Sequence, residues 1–139
     1  MSNDASTTLI GTLGKDPELR YTTGGTGVAS FSMAVNRSYK KNDEWVQETS
    51  WFDVVCWGDL GEHCAESLVK GNRVIATGRL QQRSWETREG EKRYAIELVA
   101  DAVGPDLRWA TCQVTRIERD KASSSNRGAD PVYGDEEPF

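Results

Sequence analysis

Arg73-Val-Ile-Ala-Thr-Gly-Arg-Leu-Gln-Gln-Arg-Ser-Trp85 is the stretch on which the fold turns. Read with a period of two, Arg73, Ile75, Thr77, Arg79, Gln81, Arg83 and Trp85 fall on one side, and Val74, Ala76, Gly78 and Leu80 on the other. Successive side chains of a strand point to opposite faces. One face is therefore basic and polar and ends in an indole, while the other is small and apolar and suits a core. Guanidinium groups beside an indole can bind phosphates and stack bases. An ordinary solvated strand face reads the same way, and this stretch alone leaves the two open.

Working outward, Thr87–Glu91 (TREGE) is a hairpin turn, and Arg93–Ala100 returns with Tyr94, Ile96, Leu98 and Ala100 in step. Trp85 then sits near the hairpin, on a long β-arm reaching past the body. Upstream, Asp59–Lys70 is the one good helix. Asp59 is its expected cap with Glu62 three residues on, Leu60, Cys64 and Leu68 form its apolar stripe, and Gly71 is its expected stop. His63 lies off the stripe and is expected in solvent. Three further runs complete the set: Thr7–Leu13, short and rich in β-branched residues, and the alternating Val28–Tyr39 and Gln47–Trp57. In the second, strict parity would bury Arg37, so a bulge or strand end is expected near Asn36, with Arg37, Tyr39, Lys40 and Lys41 leading into a loop. In the third, Phe52, Val54 and Cys56 supply a core face, which leaves Trp51 and Trp57 facing outward or into an interface. Leu107–Ile117 reads as one more strand, paired within the chain or with a second subunit.

The net charge is −5, but its distribution is uneven. Seven basic residues stand against three acids between Lys70 and Arg93, and three against five between Arg119 and Phe139. Binding follows local potential rather than the total. Cys56, Cys64 and Cys112 are odd in number and widely spaced, which argues against a disulfide framework and against a metal site. No apolar run is long enough for a membrane span and no leader is seen at Met1–Asp4, so a cytoplasmic, nucleoid-associated protein without a membrane partner is expected. Arg119–Phe139 has the composition of disorder, and it ends in Asp135-Glu136-Glu137-Pro138-Phe139, three acids behind one apolar ring. Such a tip suits an apolar pocket rimmed by Lys or Arg.

These elements predict an all-β fold with one helix: a five-stranded Greek-key OB barrel with a long hairpin arm, an extra C-terminal strand and a disordered acidic tail. Two units are expected, 1–118 and 119–139. Ile10–Tyr21 (IGTLGKDPELRY), Glu48–Trp57 (ETSWFDVVCW), Val74–Leu80 (VIATGRL) and Ser84–Gly90 (SWETREG), in this order, are together a specific signature. On them the chain resembles the bacterial single-stranded DNA-binding proteins, from about Thr7 to Lys121 and again over the last five residues. Gly104–Arg108 (GPDLR) followed by a strand is similar to the clasping strand of the actinobacterial branch.

The resemblance implies base stacking by Tyr39, Trp51, Trp57 and Trp85 and phosphate contacts by Arg37, Lys40, Arg79 and Arg83. It also implies a homotetramer and a C-terminal tip, Asp135 to Phe139, that binds replication and repair proteins, with no cofactor, no metal and no enzymatic activity. Two departures stand out. About a dozen residues, by inspection of the chain between Arg119 and Pro131, replace a longer family linker, and Tyr39 stands where tryptophan is common. Three alternative readings make different demands on the chain. A related RNA or primosome barrel would lack the acidic tip. A hydrolase using Asp53, Glu86 or Glu97 would need carboxylates that converge, whereas these lie on different elements. In a pure assembly module, the aromatic face would be a protein interface.

Overall fold

The computed structural model describes residues 4–118. Six strands and one helix follow in the order β1 (Ser6–Leu13), β2 (Glu18–Tyr21), β3 (Gly27–Lys41), β4 (Glu44–Trp57), α1 (Asp59–Ser67), β5 (Arg73–Glu86) and β6 (Lys92–Pro105). The sheet runs β1-β5-β6-β4-β3-β2, and a further β1–β3 pairing closes it into a ring. Closure rests on Thr12 opposite Ala34 and Leu13 opposite Met33. There the backbones approach so closely that a Cβ at Gly11 would lie 2.5 Å from the Ala34 carbonyl oxygen, so only glycine fits. All pairings are antiparallel except β4–β6, where Asp53, Val54 and Val55 run parallel to Glu97, Leu98 and Val99. This is the expected OB barrel, with β2 a short sixth strand on β3.

Alternation selects the core. Ala29, Phe31 and Met33 from β3, Val54 and Cys56 from β4, Val74 and Ala76 from β5, and Leu98 and Ala100 from β6 are all buried, and their neighbours of opposite parity are not. Helix α1 plugs the barrel with Cys64 and partly buried Leu60, and His63 is exposed; Leu68, the last of the stripe, is buried too but is the extended residue that ends the helix, three residues short of the expected Lys70. Cys56 and Cys64 are buried free thiols with sulfurs 4.0 Å apart. The hydrogen bond between them, together with burial, pushes the Cys56 thiol up and keeps it protonated.

Three local expectations change. The helix cap is Gly58, at φ 68°, and no side chain caps it, so Asp59 becomes the first helical residue, where its charge favours the helix N-terminus. Near Asn36 there is neither bulge nor strand end. β3 pairs with β4 without a break from Val28–Trp57 to Lys41–Glu44 around the two-residue turn Asn42-Asp43, both at positive φ, as a type I′ hairpin requires. Arg37 is not buried by its parity because the strands have already left the body there, where no second layer covers them. Finally, 107–118 holds no strand and is exposed throughout. A strand needs a neighbour to take its N–H and C=O groups, and pairing within the chain is not used.

Candidate nucleic-acid interface

The outer face of the sheet collects the side chains that the core rejects. On β4 the outward residues are Trp45, Gln47, Thr49, Trp51, Asp53, Val55 and Trp57, and the three indoles are 71%, 60% and 51% exposed. Burying an indole is normally favourable by a wide margin, so a row of uncovered ones on a rigid strand marks a surface meant to be covered. On β5 the same side carries Arg79, Arg83 and Trp85, with Trp85 43% exposed at the far end of the second arm. The parallel β4–β6 pairing makes these two rows one continuous surface.

Two of the rings have a local support. Trp51 lies over Gly14, where a Cβ would stand 2.6 Å from the indole; the glycine after β1 is thus the seat of the ring. Trp85 has the Arg83 guanidinium 4.9 Å from its ring centroid, a cation–π contact between the two. Arg83 also reaches Glu97 at 3.5 Å. Arg79 and Lys40 meet no carboxylate among the described residues.

From the β1–β2 connection to Arg83 runs a groove of about 530 Å³, lined among others by Lys15, Ser30, Ser32, Asp53, Arg83 and Glu97. Asp53 and Glu97, separate in sequence, are register partners across the parallel strands. Each has its own partner, Ser32 donating to Asp53 at 3.2 Å and Arg83 pairing with Glu97, and no cluster of metal-ligating side chains forms among the described residues.

The eight barrel residues expected to touch a ligand do not all come together. Trp51, Trp57, Trp85, Lys40, Arg79 and Arg83 share the outer face. Tyr39 and Arg37 lie on the other side of the β3–β4 arm, opposite Val46 and Glu48, with the Arg37 guanidinium 4.8 Å from the Tyr39 centroid and 3.2 Å from Glu48. The tip, Asp135 to Phe139, lies outside the described residues. Trp45 was missed because the expected strand began at Gln47. The signal was present, since Asn42-Asp43 is a hairpin turn that extends the alternation by three residues to Glu44.

The barrel, its outward indoles and its arginine row agree with what comparison finds. The pattern of the single-strand binding protein family matches residues 4–106. The chain belongs to that family. It is 44% identical over 131 residues to the single-stranded DNA-binding protein of Paenarthrobacter aurescens, covering 92% of this chain and 77% of that one. It is 46% identical over 122 residues to that of Mycobacterium bovis, covering 86% and 74%, and 44% identical over 119 residues to that of Bifidobacterium longum, covering 84% and 55%. The similarity is thus to actinobacterial members. The family is one of DNA-binding proteins rather than enzymes, which removes Asp53, Glu86 and Glu97 as candidates for catalysis. No helix among the described residues is long and apolar enough to cross a membrane.

Proposed function

We propose that this chain binds single-stranded DNA without regard to sequence, protects exposed strands in the cytoplasm, at the nucleoid, during replication, recombination and repair, and brings partner proteins to them. The observation that carries the reading is the row of half-exposed indoles on β4 beside the arginines and the indole of β5. Trp51, Trp57 and Trp85 stack on bases, and every base has a π face, so the contact does not select sequence. Tyr39 stacks from the far side of its arm. Arg79, Arg83, Lys40 and Arg37 meet phosphates, which makes binding salt-dependent.

Residues 1–118 form the DNA-binding and assembly unit and 119–139 the tail. Assembly as a homotetramer is supported by apolar surface that one chain leaves bare. Ile10 and Ile75 are direct register partners, 44% and 37% exposed, and Tyr94 and Ile96 on the second arm are 60% and 62% exposed. Such surface calls for a covering partner. The tip Asp135-Glu136-Glu137-Pro138-Phe139 then offers acids and one ring to the basic-rimmed pockets of replication and repair proteins.

Titration of the intrinsic tryptophan fluorescence tests the DNA reading. Long oligo(dT) is expected to quench it strongly, and salt to weaken the binding, while duplex of equal length does little. Equal quenching by the duplex, or none by either, overturns it. Deleting Asp135–Phe139 is expected to keep DNA affinity and abolish partner pull-down; unchanged pull-down removes the recruiting role.

A further inference from the structure

We propose that Trp45, with Lys40 beside it, is a further base-stacking platform that leads the single strand out along the β3–β4 arm. The proposal rests on the base-stacking reading above.

Trp57, Trp51 and Trp45 recur every six residues on one unbroken face of β4. Six residues of strand rise about 20 Å, so the three rings form an evenly spaced row. A single strand at duplex rise covers one such step in about six nucleotides, and an extended strand in fewer. Trp45 is the most exposed of the three and lies beyond the core, so the body gains nothing from it. Lys40 is its register partner across the hairpin, and the ammonium stands 6.0 Å from the ring centroid. Among the described residues no carboxylate pairs with Lys40, which leaves it available to a phosphate next to a base on Trp45.

The opposite face differs in charge. Arg37 is paired with Glu48 at 3.2 Å, so a phosphate arriving beside Tyr39 meets a carboxylate as well as a cation. Both faces carry an aromatic and a cation. Among the described residues, only the Trp45 face is continuous with Trp51 and Trp57 and has its cation unpaired.

The test measures the affinity of the full chain for long oligo(dT) across a salt series. Trp45→Ala is expected to weaken binding about tenfold, the scale of one lost stacked base, with the salt slope unchanged. Trp45→Phe should restore most of the affinity, and Tyr39→Ala should cost less than Trp45→Ala. Wild-type affinity in Trp45→Ala overturns the proposal, as does Trp45→Phe binding as weakly as Trp45→Ala. A changed oligomeric state of Trp45→Ala without DNA also overturns it and makes Trp45 a subunit contact. Trp51→Ala is the control. A loss at Trp51 with none at Trp45 overturns this assignment alone, whereas no loss at either overturns the base-stacking reading too.

Discussion

The body and the arms of this molecule are made from the same strands under the same alternation, yet they end in opposite situations. Along β6, Tyr94, Ile96, Leu98 and Ala100 share one face. Leu98 and Ala100 are 1% and 7% exposed, and Tyr94 and Ile96 about 60%. β3, β4 and β5 repeat this, with buried alternation in the half inside the barrel and exposure on nearly every residue in the half beyond it. Parity thus assigns a face, and burial needs a second layer over that face. The body supplies one by closing on itself and seating α1; the hairpins have none. An isolated two-stranded hairpin is at best marginally stable in water, so arms of this length make sense when another copy or a strand of DNA lies on them.

The sharpest way to break the comparison is to truncate two neighbours of like parity. Leu98→Ala is expected to cost about 3 kcal/mol of stability, since it opens a cavity in the closed body. Ile96→Ala, two residues away, should stay within about 0.5 kcal/mol in the monomer, measured as urea midpoints at protein concentrations low enough to separate copies. A large cost at Ile96 that grows with protein concentration would show another copy covering the arm.

Next in size is an effect on binding rather than on folding. Trp57→Ala should remove about 1–3 kcal/mol of affinity for a single strand. Its side chain is half in solvent, so its urea midpoint should barely move. Equal losses in both would mean the ring supports the body instead of facing a ligand.

A smaller difference separates two arginines on the same face of β5. Arg79 has no carboxylate partner among the described residues, while Arg83 pairs with Glu97 at 3.5 Å. Arg79→Gln should reduce the slope of log affinity against log salt by about 0.7, as expected for one lost phosphate contact on a single strand. Arg83→Gln should reduce it less, because Glu97 already offsets its charge.

The smallest effect lies where β6 leaves the body. The Arg73 side-chain hydrogen bond, 2.6 Å from Nε to Asp106 Oδ2, and the Arg108 backbone N–H hold the Asp106 carboxyl below the usual carboxylate range. The unfolded chain therefore takes up this proton first on acidification. The contribution is present above the ordinary carboxylate range and is lost as pH falls through the lower folded value. Asp106→Asn should flatten that part of the acid limb of a stability-versus-pH curve, and a curve unchanged by the substitution would show that the pair is idle.

Much of this was legible in one dimension. Alternation on β3, β4 and β5 identified core residues, the stripe of α1 identified its buried side, and the outward placement of Trp51 and Trp57 followed because Phe52, Val54 and Cys56 already filled the other face. These are properties of periodicity, and a period is a property of the chain. Where Arg37 seemed to violate parity, a local explanation was expected, and the real one was tertiary: the strand simply runs on past the body. The pairing of Asp53 with Glu97, the seat of Trp51 on Gly14 and the separation of Tyr39 from the tryptophan row depend on which strands become neighbours and in what register. So does the absence of a strand at 107–118, which lies alongside no partner strand among the described residues. Register and closure are set by contacts between residues far apart in sequence, and no local pattern encodes which distant backbone will lie alongside.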